Sequence, residues 1–385
     1  MQQIIRYFIL LVALMALSCR GVAEFDKSDF PTVLYTPEYA DGFQILGTEQ
    51  GDASLIVVEK PWQGDKCEPR MLLLDPGNRF AGVSHPHLQR VGGKVERVVC
   101  LSSSYIAMLD AIGQADAVVG VSGKEFIYNE KILAQGDKIG DIGYDGHFNL
   151  ELLLSLKPDL VLLYGLSSPS GLEEQLKSFD IPYLYVGEYL ESSPLGKAEW
   201  IVALAEIMGC REQGEEFFAA VAQRYNSVRD SVESYITANN VERPDVLLNT
   251  PYRDIWYLPA PKSYIVQLIE DAGGHAFTAG EQGDTTTPIG IEQAYSLAHK
   301  ADIWLNVGGH TTFTTLLAEN PLFASVAVVQ QRQVYNNNGR QRASSGSDFW
   351  ESGVINPDII LTDLVKIIHP DLLDDKALYY HRKLQ

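Results

Sequence analysis

Two glutamates stand at matching places in a segment that the chain contains twice. Asn149-Leu150-Glu151-Leu152-Leu153-Leu154-Ser155-Leu156 runs into Asp159-Leu160-Val161-Leu162. Gly290-Ile291-Glu292-Gln293-Ala294-Tyr295-Ser296-Leu297 runs into Asp302-Ile303-Trp304-Leu305. Each copy reads as a short helix with a carboxylate in its first turn, a brief loop and a buried strand. The helix macrodipole favours a first-turn Glu anywhere, and helix-loop-strand units are ordinary in α/β folds. One unit in each half nevertheless describes two similar lobes, each displaying one acid. That is a clamp offering matched handles to a partner.

Motifs for catalysis are missing. The chain has no G-x-S-x-G elbow, phosphate-binding loop, G-x-G-x-x-G after a strand, or H-E-x-x-H. Gly308-Gly309-His310 has the look of an oxyanion turn, but a lone Gly-Gly is more simply a plain turn. The eight histidines are scattered, and His85-Pro86-His87 suits a solvated loop better than a metal. No catalytic residue and no metal ligand is therefore assigned, and the reading is not an enzyme.

What remains is aromatic and polar material in expected loops at strand ends, where open α/β sheets bind ligands. The first half supplies Ser104, Tyr144, His147 and Tyr164; the second supplies Trp256, Tyr257, His310, Arg342 and Trp350. Aromatic faces suit a flat, bulky ligand, Arg and Tyr suit an anionic chelate, and His or Tyr can hold iron. Singly, each has a plainer role. Trp256 and Tyr257 sit in an apolar strand pattern, and Arg342 balances acidic surface. Together they fall on both sides of an expected cleft.

The elements that must position these residues form an α/β fold: two α/β lobes joined by a single long helix, with a small N-terminal β extension. Residues 1–18 read as an export signal and 19–94 as the antiparallel β extension, with Gly82 to Lys94 as a polar linking loop. Residues 95–210 form the first lobe, 211–240 the connecting helix and 241–385 the second lobe with C-terminal helices. In the connecting helix, Phe217, Phe218, Val221, Tyr225, Val228 and Val232 recur at helical spacing, and the α/β pattern restarts straight after it. Ala198 to Met208 reads as one helix. Leu372 onward reads as a final polar helix.

With 385 residues the chain is long enough for two domains. Its net charge of −20 excludes nucleic acid as a partner. Arg6 precedes an apolar run from Tyr7 to Leu17, too short to span a bilayer. Ser18-Cys19 then resembles a lipobox, in which Cys19 receives the lipid, although Ala16 stands where Leu is usual. A plain secretory signal is the alternative. Cys67, Cys100 and Cys210 remain, with no zinc-like spacing, and no disulfide is assigned.

Three stretches carry a family resemblance: Arg97-Val98-Val99-Cys100-Leu101-Ser102-Ser103-Ser104-Tyr105, Val118-Val119-Gly120-Val121-Ser122, and Asn149-Leu150-Glu151 through Lys157-Pro158-Asp159-Leu160-Val161-Leu162. They resemble the periplasmic binding proteins for iron chelates, haem and cobalamin that serve ABC importers, over roughly residues 95 to 370. The resemblance implies a stiff two-lobed protein that closes only slightly. It implies that Glu151 and, less directly, Glu292 pair with Arg residues of a membrane permease. It also implies a small-molecule ligand, a siderophore, haem or cobalamin, in the inter-lobe cleft, with iron or cobalt arriving in the ligand and no cofactor of the protein's own. The expected protein is a monomeric lipoprotein of the cell envelope. Ser344-Ser345-Gly346-Ser347-Asp348-Phe349-Trp350-Glu351 and the β extension are not general family features. An exported α/β hydrolase and a permease-independent surface capture lipoprotein are the alternatives.

Overall fold

The computed structural model describes residues 23–64, 67–144, 146–278, 280, 285–373 and 375–385. The expected export signal and Cys19 lie outside these residues.

The N-terminal region forms a sheet of β1 (Thr32–Tyr35), β2 (Phe43–Gly47), β3 (Ser54–Val58), β4 (Arg70–Leu74) and β5 (Leu88–Val91), in that order. All five residues of β3 are buried because both sheet faces are covered. Ile56 and Val58 face the main core, while Leu55 and Val57 pack beneath Phe30 and Phe80. This explains an unbroken apolar run where a half-exposed strand would alternate. Two corrections follow. The stretch expected as a linking loop contains β5, and β5 pairs parallel to β4 rather than antiparallel. Leu88 and Val91 are buried, but Gln89 and Arg90 between them break the apolar pattern. Arg90 Nε finds the buried Asp75 carboxylate at 2.8 Å.

The first lobe is an all-parallel sheet of β6 (Val98–Cys100), β7 (Val118–Val121), β8 (Gly140–Asp141), β9 (Leu160–Leu163) and β10 (Tyr183–Tyr185), ordered β8-β7-β6-β9-β10. Ser102 caps α1 (Ser103–Ala111). Asn149 caps α2 (Leu150–Leu156), its side chain accepting from Leu152 N at 3.0 Å. The helix expected over Ala198–Met208 is two: α3 (Pro194–Glu199) and α4 (Ile201–Ile207) meet at buried Trp200, whose indole N–H donates to Glu191 at 2.8 Å.

The long helix α5 (Arg211–Asn239) has 29 residues, roughly 44 Å at 1.5 Å per residue. Its buried stripe includes Phe218, Val221, Ala222, Tyr225 and Val232. Tyr225 Oη donates to Asp271 at 2.6 Å, and Arg224 Nε donates to Asp358 at 2.6 Å.

The second lobe is a sheet of β11 (Asp245–Leu248), β13 (His275–Ala276), β15 (Ile303–Leu305), β16 (Val334–Asn336) and β17 (Arg382–Lys383), ordered β13-β11-β15-β16-β17. A separate antiparallel pair, β12 (Ile255–Leu258) and β14 (Thr287–Gly290), stands beside it. Helices α6 (Tyr264–Asp271), α7 (Ile291–Ala298) and α8 (Pro357–Ile368) are among those that cover the lobe. No helix starts at Leu372. Asp363 instead gathers the backbone N–H groups of Tyr379, Tyr380 and His381 at 2.8, 2.7 and 2.9 Å, which holds the chain extended. It then enters the sheet edge as β17, antiparallel to β16.

One apolar core runs through both lobes. It joins the inner face of the N-terminal sheet to α4, passes along α5, and reaches α6 and α8. Among the described residues, no helix is long and apolar enough to cross a membrane.

Candidate functional site: the cleft between the lobes

Strand order dictates where a ligand can enter. In the first sheet the order reverses between β6 and β9; in the second it reverses between β11 and β15. Loops leaving the C-terminal ends of strands at such a switch point splay apart and leave a crevice. The cavities lie there. Ser102, Ser103 and Ser104 follow β6, Tyr164 follows β9, Asn249 follows β11, and Asn306 follows β15. Asn249 and Asn306 both take the left-handed backbone, at φ 70° and 59°, which Asn tolerates better than most residues.

Three cavities of about 340, 330 and 500 Å³ form one cleft. The first and second share Ser102 and Ser103; the first and third share Tyr264 and Trp350. Each is of a size that suits small molecules. The central cavity is walled by Leu268, Phe349, Trp350 and Ile360, with Glu188 and Lys197 as its charged side chains.

The floor is polar and buried. Glu188 follows β10 and is 4% exposed; Lys197 on α3 is 8% exposed. Ser104 Oγ donates to Glu188 Oε1 at 2.7 Å, and Lys197 Nζ donates to the Glu188 carbonyl at 3.1 Å. Glu188 Oε2 has no partner among the described residues. Burial pushes the Glu188 carboxyl up and the Lys197 ammonium down, each toward its neutral form, with their mutual attraction opposing.

The far rim is tied across the lobes. Tyr128 N donates to Glu351 Oε2 at 2.8 Å, and Arg342 lies 3.9 Å from Glu130. Burial raises the Glu351 carboxyl to about 8 against the backbone N–H groups of Tyr128 and Asn129.

The structure gathers some of the expected residues and disperses others. Ser104, Tyr144, Tyr164 and Trp350 line the cleft, and Trp350 is 52% exposed. His147 is exposed and lines none of the three cavities. Trp256 is 0% exposed, packed against Trp304 and Phe323, with its indole N–H on the Leu248 carbonyl at 2.8 Å. It leaves the candidate set because it is core. Tyr257 is exposed on the β12–β14 pair and lines none of the three cavities, although its carbonyl accepts from the Asn249 amide at 3.3 Å. His310 turns to Glu319 at 3.6 Å, and its carbonyl accepts from the Asn336 and Asn338 amides. Arg342 is half-buried, lies 3.9 Å from Glu130 and lines none of the three cavities. Glu188, Lys197, Asn306, Asn338 and Tyr264 were missing from the expected set. Glu188 and Asn306 carry the same signal, each standing just past the end of an apolar strand.

Glu151 and Glu292 are exposed in the first turns of α2 and α7, with no ion pair for either among the described residues. Each helix runs back to the start of the strand that follows it. Both N-termini therefore sit at the strand ends where the cleft opens. Among the described residues the Ser104 hydroxyl bonds to Ser102 and Glu188 and not to a histidine, so a serine–histidine pair is not built from it. Among the described residues, no group of three His, Cys, Asp or Glu could hold a metal ion. Cys67, Cys100 and Cys210 are free thiols.

Residues 98–339 match a family model described as periplasmic binding protein. An uncharacterised lipoprotein of Methanocaldococcus jannaschii is 23% identical over 351 residues, covering 85% of this chain and 81% of that one. An uncharacterised ABC transporter substrate-binding lipoprotein of Bacillus subtilis is 27% identical over 164 residues, 42% of this chain and 49% of that one. The crystal structure of a periplasmic heme binding protein from Pseudomonas aeruginosa superposes with a TM-score of 0.56 at 16% identity, over 72% of this chain and 94% of that one.

Proposed function

The chain belongs to the periplasmic binding protein family, and from that premise we propose that it is the substrate-binding lipoprotein of an ABC importer. Proteins of this family are substrate-binding components of ABC transporters, and the chain is a binding protein rather than an enzyme. In this reading it is exported through residues 1–18 and held at the envelope membrane by a lipid on Cys19. It works as a monomer, captures an iron chelate (a siderophore or haem) or cobalamin between its lobes, and delivers it to a permease.

The arrangement of Glu151 and Glu292 carries the reading. Two exposed carboxylates, without an ion pair among the described residues, occupy the first turns of the helices that lead into the switch-point strands β9 and β15. Exposed charges of this kind steer and orient a partner more than they tighten binding. The lipoprotein and importer names of the relatives support the anchor and the partner. Ligand binding is measured by absorbance and tryptophan fluorescence with haem, ferrichrome and cyanocobalamin. Docking is measured as ATPase stimulation of the cognate permease in nanodiscs. The double variant Glu151→Ala, Glu292→Ala should keep ligand affinity within about twofold and lose the stimulation. Undiminished stimulation would remove the docking role.

A further inference from the structure

Charge in the cleft cancels. Among the described residues lining the three cavities, one carboxylate and one ammonium are present, Glu188 and Lys197, and they are neighbours on the floor. Among the described residues, no basic side chain besides Lys197 lines the three cavities. Arg340 on the rim donates to Asp348 at 2.5 Å and stacks on Tyr128 and Tyr379, and Arg342 faces Glu130.

The floor offers an acceptor beside a donor. Glu188 Oε2 has no partner among the described residues, and Lys197 Nζ keeps N–H groups beyond the one given to the Glu188 carbonyl. A ligand carboxylate placed there would face the Glu188 carboxylate, and a ligand ammonium would face Lys197. A neutral group that donates and accepts side by side satisfies both. The second-lobe wall repeats the chemistry with carboxamides. Asn249 and Asn306 end the two switch-point strands, and Asn338 is 7% exposed beside them. Among the described residues the Oδ1 atoms of Asn306 and Asn338 have no partner, while Asn338 Nδ2 is already held by the His310 carbonyl at 3.3 Å.

We infer that the cleft selects a ligand whose gripped edge is uncharged and fringed with primary carboxamides. Glu188 and Lys197 read one such group on the floor, and the strand-end asparagines read others on the wall. This rests on the cleft being the ligand site. It assigns a specificity rule: carboxamide edges are taken and carboxylate edges are refused.

One macrocycle in two forms tests the rule. Iron protoporphyrin IX carries two carboxylates, and its bis-carboxamide carries none; cyanocobalamin supplies a second amide-fringed scaffold. Each is titrated into the lipid-free chain from residue 20 onward and followed by absorbance and tryptophan fluorescence. The amide forms should bind at least about tenfold tighter than the carboxylate form, the scale of one well-made hydrogen-bonded recognition. Lys197→Met should erase that preference. Asn249→Gly keeps the left-handed backbone while removing the amide. Asn249 Nδ2 also donates to the Tyr257 carbonyl at 3.3 Å, so the melting temperature should fall slightly, while ligand binding weakens for the amide probes alone. Haem binding as tightly as its bis-carboxamide, or Asn249→Gly weakening both forms alike, overturns the rule and leaves the ligand site standing. Failure of every probe to bind removes these ligands from the proposed function, and the rule falls with it.

Discussion

At the far rim the Glu351 carboxyl ties the second lobe to the first through Tyr128 N, and its protonation makes that tie depend on pH. Burial holds it up to about 8, with Asp348 and Asp110 pushing the same way and the Tyr128 and Asn129 N–H groups opposing. A carboxyl raised in the folded state binds a proton there that the unfolded chain has already released, so stability falls as pH rises from about 4.5 toward 8. Glu351→Gln keeps an acceptor for the backbone and cannot ionise. The difference in melting temperature between variant and parent should grow in the variant's favour from pH 5 to pH 8.5. A difference that stays constant over that range would show that Glu351 ionises normally. Nearby Arg340 pairs with Asp348 and not with Glu351, so no cation offsets the charge that forms.

At the scale of elements, the N-terminal sheet is welded to the first lobe by two buried acids on the way into the long helix. Glu199 accepts from Tyr35 Oη and from the backbone N–H groups of Glu38, Tyr39 and Ala40, at 2.7 to 2.8 Å. Glu191 accepts from the N–H groups of Asp41 and Gly42, both at 3.0 Å. Glu199→Ala would strand three backbone donors, at a cost of about 3 kcal/mol or more. A urea titration should show a lower midpoint, with faster amide exchange concentrated in residues 35–42. A loss below about 0.5 kcal/mol would mean that water replaces the acid easily. These contacts also explain what the sequence could and could not disclose. The caps at Ser102 and Asn149, the buried runs of β3 and β9, and the first-turn acids are encoded within a few residues, so periodicity finds them. Asp363 holding the tail at Tyr379–His381 joins residues 16 to 18 apart, and Ser104 meeting Glu188 joins residues 84 apart. No local pattern marks such pairs. Trp256 shows the converse: an aromatic in a strand looks the same whether it lines a cleft or fills a core, and only the facing Trp304 and Phe323 decide.

Across the whole molecule, the question is how far the lobes can move. A hinge needs a flexible connection and a weak interface between the parts. Here the connection is a single 29-residue helix whose buried face packs against elements of both lobes. Tyr225 and Arg224 anchor it to Asp271 and Asp358 of the second lobe, while Arg211 at its start pairs with Glu206 of the first. The apolar core continues through this junction beside those polar contacts. The tie from Glu351 to Tyr128 closes the far rim as well. Wide opening would have to expose that core, whereas adjustment of the rim loops would not. The radius of gyration in solution scattering should therefore change by less than about 1 Å when saturating haem, ferrichrome or cyanocobalamin is added, whichever of them binds. A contraction of several ångströms would mean that the lobes swing, that the helix bends, and that the cleft described here is only one end of the motion. With rigid lobes, Glu151 and Glu292 keep a fixed spacing, and a permease would distinguish loaded from empty protein by the rim loops around Trp350 and Tyr144 rather than by the distance between the acids.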